Sequence, residues 1–292
     1  MFDKNNSLFK ELKLGILSRR NFFKFLAQLI GGLVSAVGAL RAFPINLSFM
    51  KRSHSSSQIV PPDDPRLETK YIKYLGASGE IRAYEARPKT REKLPGVVVI
   101  HENRGLVPHI EDITRRTALE GFHAIAPDAL SPFGGTPANP DEARALIQKL
   151  DRQENIKNFV AAVAYLKTNP QTTGKVAVMG FCWGGGVTSQ VAVNCPDLDA
   201  AVPFYGLQPA PEDVPKIKAA MLIHYAEKDD RINAGIPPFE EALKKAGVDY
   251  KIYIYEGTSH AFMNDTGARY HPEAATLAWR RTIAFLKEKL KS

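Results

Sequence analysis

The residue in this sequence best placed to do chemistry is Cys182, in the stretch GFCWG (180–184), where an apolar run ends and a helical pattern begins. A nucleophile held in a sharp turn between a strand and a helix needs glycines on both sides, because larger side chains there collide with neighbouring backbone. The amino terminus of the following helix would supply amide donors and lower the pKa of the thiol. The spacing therefore indicates a cysteine nucleophile. The alternative is a buried cysteine beside a glycine turn.

A general base and an acid for this cysteine follow it in the chain. His260 comes after the stretch YKIYIYEGTS, and Asp229 and Asp230 follow the stretch AMLIHYAEK. A thiol nucleophile needs a base to take its proton and a carboxylate to orient that base. The order nucleophile, acid, histidine is the one that α/β-hydrolases use. The residues alone do not separate Asp229 from Asp230, and each of the three also fits an ordinary place in a turn or loop.

Glu102 is the fourth polar residue at a predicted strand end, after the run GVVVIH. In open parallel sheets the loops after the strands form the ligand crevice, so we expect Glu102, Cys182, Asp229 and His260 to share one. The alternative for Glu102 is a structural ion pair with Arg104. The remaining histidines have no metal-ligand spacing, so the sequence predicts no metal site.

The elements that must position these residues alternate between strand-length apolar runs and helical patterns. KYIKYL and EIRAYEAR predict an opening hairpin that turns at GASG, and most of six later runs are apolar enough for strands covered on both faces. Helical patterns lie between them, at about 110–120, 141–168, 185–194, 237–246 and 273–290. This order predicts an α/β fold with a mostly parallel central sheet and helices on both faces.

The net charge of +8 over 292 residues is concentrated at the amino terminus. Residues 1–52 hold nine Lys and Arg against two acidic residues, and the other 240 residues hold 30 Lys and Arg against 29 Asp and Glu. A nearly neutral body without a basic stripe gives no support to nucleic-acid binding, which needs clustered cations.

Residues 1–52 have the features of an addressing or anchoring segment. SRRNFFK (18–24) is similar to a twin-arginine export signal, and sixteen uncharged residues, Phe25 to Leu40, follow it, fewer than the about 20 that a membrane span needs. We predict export to the periplasm, with the Tat export machinery as a possible partner. The alternative is a cytoplasmic protein that retains the segment as a helix on the domain or on a membrane surface. Residues 53–65 are rich in Ser, Pro and Asp, which is typical of a linker, so we predict a folded unit over 66–292.

The ordered set of motifs resembles the dienelactone hydrolase (carboxymethylenebutenolidase) family of the α/β-hydrolase superfamily, over roughly residues 66–291. The resemblance rests on VVVIHENRGL, AIAPDAL, GKVAVMGFCWGGG, AVPFYG, AEKDDRI and GTSHAFMND. It implies an α/β-hydrolase fold and a Cys-His-Asp triad, and it favours Asp229 over Asp230. It needs no cofactor, and it implies a small-molecule ester or lactone as substrate, without a stable partner protein.

The same resemblance implies roles for residues around Cys182. Glu102 matches a glutamate that faces the cysteine and influences its protonation. The backbone amides of Trp183 and Asn103 match the expected oxyanion hole. Further substrate-binding candidates stand close to these positions in the motifs: Arg104, Tyr205 and Phe262.

The sequence departs from the family where the substrate carboxylate is bound. Family members use two arginines, and the matching positions here are Pro132 and Asn264, neither of which can bind a carboxylate bidentately. Arg104, Arg231 or Arg269 are candidates to replace them. We therefore predict a hydrolase that cleaves a small ester or lactone through a cysteine nucleophile. The alternatives are a non-hydrolytic ligand-binding protein of the same fold, or a membrane-surface protein that acts through its amino-terminal segment.

Overall fold

The structure is a computed structural model, and it describes residues 60–291 of the chain. The predicted segment 1–52, with its twin-arginine-like stretch, lies outside the described residues, as do residues 53–59 of the predicted linker. Export and the alternative of a retained segment therefore stay predictions. Within residues 60–291, no helix is both long enough and apolar enough to cross a membrane.

Strands and helices alternate along the described chain. The eight strands are β1 (Leu67–Gly76), β2 (Gly79–Pro88), β3 (Leu94–Ile100), β4 (His123–Pro127), β5 (Thr172–Phe181), β6 (Ala200–Phe204), β7 (Ala220–Lys228) and β8 (Tyr250–Ser259). The helices are α1 (Pro108–Leu119), α2 (Pro140–Lys149), α3 (Arg152–Thr168), α4 (Trp183–Asn194), the one-turn α5 (Asp230–Asn233), α6 (Ile236–Ala246) and α7 (Pro272–Lys289). Short 3-10 turns occur at Ser131–Phe133 and Pro211–Lys216.

The strands form one sheet in the order β1-β2-β4-β3-β5-β6-β7-β8. β1 and β2 form the predicted hairpin, with Gly76 opposite Gly79, and β2 pairs antiparallel with β4. Every other pair, from β4-β3 to β7-β8, is parallel. The loops after β3, β5, β7 and β8 therefore open at the same edge of the sheet.

The core lies on both faces of this sheet, as the apolar strands predict. Along β3, Val98 and Ile100 pack with α3, α4 and α6, while Val97 and Val99 pack on the other face with α1 and α7. This alternation follows the two-residue period of a strand. Complete burial of one such aliphatic side chain stabilises the fold by about 1.5–3 kcal/mol. The predicted fold class, an α/β-hydrolase sheet covered on both faces, is confirmed.

The helical pattern predicted over 141–168 is two helices in the structure. α2 ends at Lys149, Leu150 has an extended backbone (φ −60°, ψ 132°), and α3 begins after Asp151. The side chain of Asp151 accepts a hydrogen bond from the Glu154 amide at 2.8 Å, which caps the new helix. The prediction of one continuous helix was wrong. The apolar periodicity continues through the corner, but the capping hydrogen bond of Asp151 starts a second helix there.

Val60, near the end of the predicted linker, is held by α1. Its amide donates to Asp112 Oδ1 at 2.6 Å, and its carbonyl accepts from Arg115 Nε at 2.7 Å. The Val60 side chain is buried in the core cluster on the α1 side of the sheet. The chain is therefore fixed to α1 seven residues before β1 begins at Leu67.

Candidate active site

Cys182 occupies the turn between β5 and α4. Its backbone has φ 58° and ψ −115°, a left-handed conformation that a side-chain-bearing residue rarely adopts. Two hydrogen bonds hold it there, from the Cys182 amide to the Phe204 carbonyl (3.0 Å) and from the Gly186 amide to the Cys182 carbonyl (3.2 Å). The thiol is thus projected from a strained turn at the edge where the strands end.

The glycines beside this turn are required by close backbone contacts. A Cβ added at Gly180 would lie 2.3 Å from the Gly184 carbonyl oxygen, and one added at Gly184 would lie 2.4 Å from the His101 carbonyl oxygen. Both distances are far below van der Waals contact. The predicted reason for the two glycines is confirmed, because α4 packs directly on the ends of β3 and β5.

His260 and Asp229 meet at the ends of β8 and β7. His260 Nδ1 lies 2.5 Å from Asp229 Oδ2, and both side chains are largely buried. A carboxylate only accepts hydrogen bonds, so Nδ1 carries the proton and Nε2 is left free to act as a base. Asp230 instead begins α5. Of the two aspartates that the residues left open, the structure brings Asp229 to the histidine.

Cys182, His260 and Glu102 line a common cavity of about 470 Å³. Glu102 accepts a hydrogen bond from Asn264 Nδ2 at 2.7 Å. The oxygen of the Asn264 amide accepts from the Thr266 amide and hydroxyl, which fixes the amide so that its nitrogen faces Glu102. Asn264 cannot bind a substrate carboxylate bidentately as an arginine does, and its amide instead donates to the Glu102 carboxylate.

The Cys182 thiol has a raised pKa, in contrast to the expectation that the helix terminus lowers it. Burial and then the nearby charge of Glu102 raise the pKa from 9.0 to about 11. A hydrogen bond from the Trp183 amide and the charges of Arg231 and Arg269 act in the opposite direction. Desolvation of the thiolate outweighs the effects of the amide and of the two cations. Without ligand the sulfur is a thiol at neutral pH.

Of the two backbone amides that the resemblance pairs in an oxyanion hole, that of Trp183 contacts the thiol, and Asn103 lines the same cavities as Cys182. The Trp183 amide is the first of α4 and points at the sulfur, while the Asn103 amide makes no hydrogen bond to another described residue. His101 fixes the peptide that contains the Asn103 amide, since its Nδ1 contacts the Glu102 carbonyl at 2.6 Å. The His101 Nε2 accepts from the Ala129 amide at 3.1 Å, so the ring is neutral, and burial lowers its pKa.

The three substrate-binding candidates have different surroundings. Arg104 is exposed and lines the cavity of Cys182 and His260. Tyr205 is buried with φ 38° at the end of β6, its ring 5.0 Å from that of His260, and its hydroxyl has no hydrogen-bond partner among the described residues. Burial raises its pKa well above the usual value. Phe262 is fully buried and packs on the ring of Tyr205, and it does not line the cavity of Cys182 and His260.

The loop that carries Asn264 is tied to α1 by buried charges. Arg116 contacts both Asp265 and Asp112, with 2.6 Å between Arg116 Nη2 and Asp265 Oδ2. His109 Nδ1 lies 3.1 Å from the other Asp265 oxygen. Asp265 is adjacent to Asn264 in the chain, so this network limits where the amide that holds Glu102 can move.

Two further histidines of the described chain have polar partners of their own. His123 contacts Glu85 at 2.8 Å, and His224 lies between the hydroxyls of Tyr255 and Thr282. Over residues 60–291, no group of three or more His, Cys, Asp or Glu side chains has an arrangement that could hold a metal ion. Cys195 is buried at the end of α4.

Sequence reasoning missed two residues of the site. His101 had a signal, because it directly precedes Glu102 at the end of β3. Arg144, which lines the cavity with Cys182, had none, because it lies within α2 and not at the end of a strand.

Comparison with known proteins places this site in a family context. The family model described as the dienelactone hydrolase family matches residues 81–290. The "Putative carboxymethylenebutenolidase" of Saccharolobus solfataricus is 37% identical over 260 residues, covering 76% of this chain and 99% of that protein. "Protein usf" of Aquifex pyrophilus is 40% identical over 224 residues, covering 72% and 94% of the two chains.

A solved structure is similar over the same region. The crystal structure of a "Putative Dienelactone Hydrolase" from Klebsiella pneumoniae subsp. pneumoniae superimposes with a TM-score of 0.69 at 28% sequence identity. The match covers 76% of this chain and 99% of that chain. The similarity therefore spans nearly the whole of the other protein and leaves the amino-terminal part of this chain unmatched.

Proposed function

The chain belongs to the dienelactone hydrolase family, and from this membership we propose that it hydrolyses a small ester or lactone with Cys182 as the nucleophile. The observation that carries the proposal is the strained turn that presents Cys182 to a cavity also lined by His260. A buried structural cysteine needs neither the left-handed backbone nor a histidine and aspartate pair on the neighbouring loops.

In the first half of the proposed reaction, the Cys182 sulfur attacks the carbonyl carbon of the substrate. The thiol proton passes to His260 Nε2, and the Asp229 carboxylate stabilises the imidazolium that forms. The negative oxygen of the tetrahedral intermediate accepts hydrogen bonds from the amides of Trp183 and Asn103. His260 then returns the proton to the leaving oxygen as the carbon–oxygen bond breaks, which leaves a thioester on Cys182.

In the second half, water attacks the thioester carbonyl. His260 takes a proton from the water and gives it to the sulfur as the carbon–sulfur bond breaks, which restores the thiol and releases the acid. Glu102 has a separate role, because its charge keeps the free thiol protonated until a substrate enters. A protonated thiol is protected from alkylation and oxidation between turnovers.

The test is hydrolysis of an aryl ester of a short-chain acid by the purified full-length protein under reducing conditions. Cys182→Ala and Cys195→Ala are compared with the wild type. We expect Cys182→Ala to lose at least about a thousandfold of kcat/KM, as removal of a nucleophile does in other hydrolases. Cys195→Ala is the matched control, since Cys195 lies at the far end of α4, and it should keep the wild-type rate.

Equal activity of Cys182→Ala and wild type would refute the cysteine mechanism. A wild type that hydrolyses none of these esters would refute ester hydrolysis of this kind. Labelling of Cys182 by iodoacetamide at pH 9 then tests whether a small electrophile reaches the thiol. Failure of Cys182 to react there would favour a purely structural cysteine, because a nucleophile must be reachable by a small electrophile.

A further inference from the structure

The loop that follows His260 closes on itself and begins with a strained residue. Ala261 has φ 70°, a left-handed backbone that residues with a side chain rarely adopt. The loop is closed by a hydrogen bond of 3.0 Å from the His271 amide to the Phe262 carbonyl. We call residues 261–271 the histidine loop. A strained backbone of this kind persists only where the surrounding structure holds it.

Asp265 attaches the histidine loop to α1. Its Oδ2 lies 2.6 Å from Arg116 Nη2, and its Oδ1 lies 3.1 Å from His109 Nδ1. The Asp265 side chain is 5% exposed and that of Arg116 is 17% exposed. Salt screens an ion pair so far from solvent much less than a pair on the surface. The contact therefore holds the loop in one place against the helix.

Arg116 is in turn held from the side of α1. It contacts Asp112, one turn earlier on the same helix. The Asp112 Oδ1 also accepts a hydrogen bond from the Val60 amide at 2.6 Å, and α1 packs on β2, β3 and β4. The guanidinium thus lies between two buried carboxylates, one on its own helix and one on the loop. Because the helix is fixed on the sheet, Arg116 determines where Asp265 lies.

Asn264 carries this placement to the active site. It precedes Asp265 in the chain, and its Nδ2 donates to Glu102 at 2.7 Å. Its amide oxygen accepts from the amide and the hydroxyl of Thr266, so the amide group cannot turn without losing those hydrogen bonds. The charge of Glu102 is, after burial, the second cause of the raised pKa of the Cys182 thiol. A continuous series of contacts therefore runs from α1 to the thiol.

We propose that Arg116 is a positioning residue for the Glu102 carboxylate. It acts through Asp265 and Asn264, and it restrains the thiol of Cys182 without lining either of the cavities that this cysteine lines. The inference rests on the proposed function only in taking Cys182 as the nucleophile, because the state of the thiol can be measured without a substrate.

The direction of the effect follows from the Coulomb interaction, which weakens as two charges separate or become hydrated. In Arg116→Gln the histidine loop loses its ion pair with α1. Asn264 then no longer keeps the Glu102 carboxylate in one position, and we expect the carboxylate to turn toward the solvent of the open cavity. The pKa of the Cys182 thiol should fall as a result, and more thiolate should be present at pH 8.

The test is the rate constant for alkylation of Cys182 by iodoacetamide at pH 8, followed on the peptide that contains this cysteine. Four full-length proteins are compared: wild type, Arg116→Gln, Glu102→Gln and the double variant. We expect Arg116→Gln to react about threefold faster than the wild type, which corresponds to about half a unit of thiol pKa. In the Glu102→Gln background the same change should have no further effect, because the charge on which Arg116 acts is absent. Non-additivity of this kind identifies a residue that acts through another.

The dependence of the rate on pH is the second readout. In Arg116→Gln the rate should level off at a lower pH than in the wild type, since the thiolate forms at a lower pH. The other charged or titratable groups near the thiol, Arg231, Arg269 and His260, are the same in all four proteins. A variant that only loosens the fold would change the rate at every pH by a similar factor.

Arg87→Gln is the matched control for the loss of a buried arginine. Arg87 is 6% exposed, and its Nη2 donates to the Thr90 carbonyl at 2.6 Å. It follows Ala86, which pairs with Ala124 near the start of β4, so it lies at the edge of the sheet opposite to Cys182. This variant should be less stable than the wild type and should be alkylated at the wild-type rate.

Asp265→Asn is the second variant, and it keeps the protein measurable if Arg116→Gln folds in low yield. Asn has the shape of Asp, so the change weakens the contact with Arg116 and leaves the pair of Arg116 and Asp112 in place. We expect alkylation of Cys182 to become about twofold faster, which is a smaller change in the same direction.

Three results would overturn the inference. The first is an Arg116→Gln protein that reacts no faster than the wild type. The second is an equal acceleration in the Glu102→Gln background, since Arg116 would then act on access to the thiol and not through Glu102. The third is an equal acceleration in Arg87→Gln. The proposed function fails separately, if Cys182→Ala hydrolyses esters as well as the wild type, and the alkylation rates still decide the role of Arg116.

Discussion

Two features of its surroundings keep the thiol of Cys182 protonated, and they can be separated by experiment. Burial is the larger cause of the raised pKa of about 11, and the charge of Glu102 is the second. Burial cannot be removed without damage to the strained turn. The charge of Glu102 can be removed by Glu102→Gln, because Gln has the shape of Glu and the Glu102 side chain has one defined partner, Asn264.

We predict that Glu102→Gln speeds the alkylation of Cys182. Loss of the negative charge lowers the thiol pKa, and well below that pKa the thiolate fraction changes tenfold for each unit of pKa. The rate constant for iodoacetamide at pH 8 should rise roughly fivefold. Measured against pH, the rate should continue to rise toward pH 11 in the wild type and level off earlier in the variant.

Glu241→Gln is the matched control, since Glu241 is exposed on α6 and does not line either cavity of Cys182. It should react at the wild-type rate. A Glu102→Gln protein that is alkylated no faster than this control would mean that Glu102 does not restrain the thiol.

At the level of elements, the corner between α2 and α3 forms part of the wall of a cavity of about 470 Å³ that Cys182 also lines. Leu150 and Ile156 stand on either side of it, and Asp151 holds the turn by capping α3. A capping residue acts only on the first turn of its helix. Its removal therefore perturbs the start of α3 while the sheet and the thiol keep their other contacts.

We predict that Asp151→Ala lowers the free energy of unfolding by about 1 kcal/mol, the usual contribution of an amino-terminal cap. In a domain of this size that corresponds to a melting temperature lower by about 2–4 °C. The rate of ester hydrolysis should also fall, because the corner lines a cavity that Cys182 shares. Asn139→Ala, the equivalent change at the cap of α2, should also destabilise the protein and allows the two caps to be compared.

Much of this architecture could be predicted from sequence because the central strands are apolar runs bounded by polar residues. Cys182, Asp229 and His260 each follow such a run, so their approach at one edge follows from parallel pairing. The corner at Leu150 could not be predicted, because apolar periodicity continues through it. The contact of Asn264 with Glu102 joins residues 162 apart in the chain, and no local pattern carries that information.

At the level of the whole molecule, buried neutral histidines make stability depend on pH. His224 lies between Tyr255 and Thr282, and burial lowers its pKa from 6.5 to about 3. Between these two values the unfolded chain binds a proton at His224 that the folded chain does not. Stability therefore rises with pH in this range and falls on acidification. His101, whose pKa is also lowered by burial, acts in the same direction.

We predict that His224 alone lowers the free energy of unfolding by about 1.5 kcal/mol between pH 6.5 and pH 5. The measurement is urea unfolding at several pH values across this range. His224→Gln should be less stable at pH 7. Its free energy of unfolding should depend less on pH, because the contribution of His224 is removed. The same dependence in both proteins would contradict the assignment of a neutral, buried His224.

The attachment of Val60 to α1 has a mechanical consequence. Any tension on the chain before residue 60 reaches the folded unit first at the hydrogen bonds from Val60 to Asp112 and Arg115, and only later at β1. Arg115 also donates to the Tyr84 hydroxyl on β2, and Arg116, next to it on α1, is bound to Asp265. The force is thus distributed over α1, β2 and the loop that contains Asp265. The hydrogen bonds between the edge strand β1 and β2 are loaded only after these contacts break.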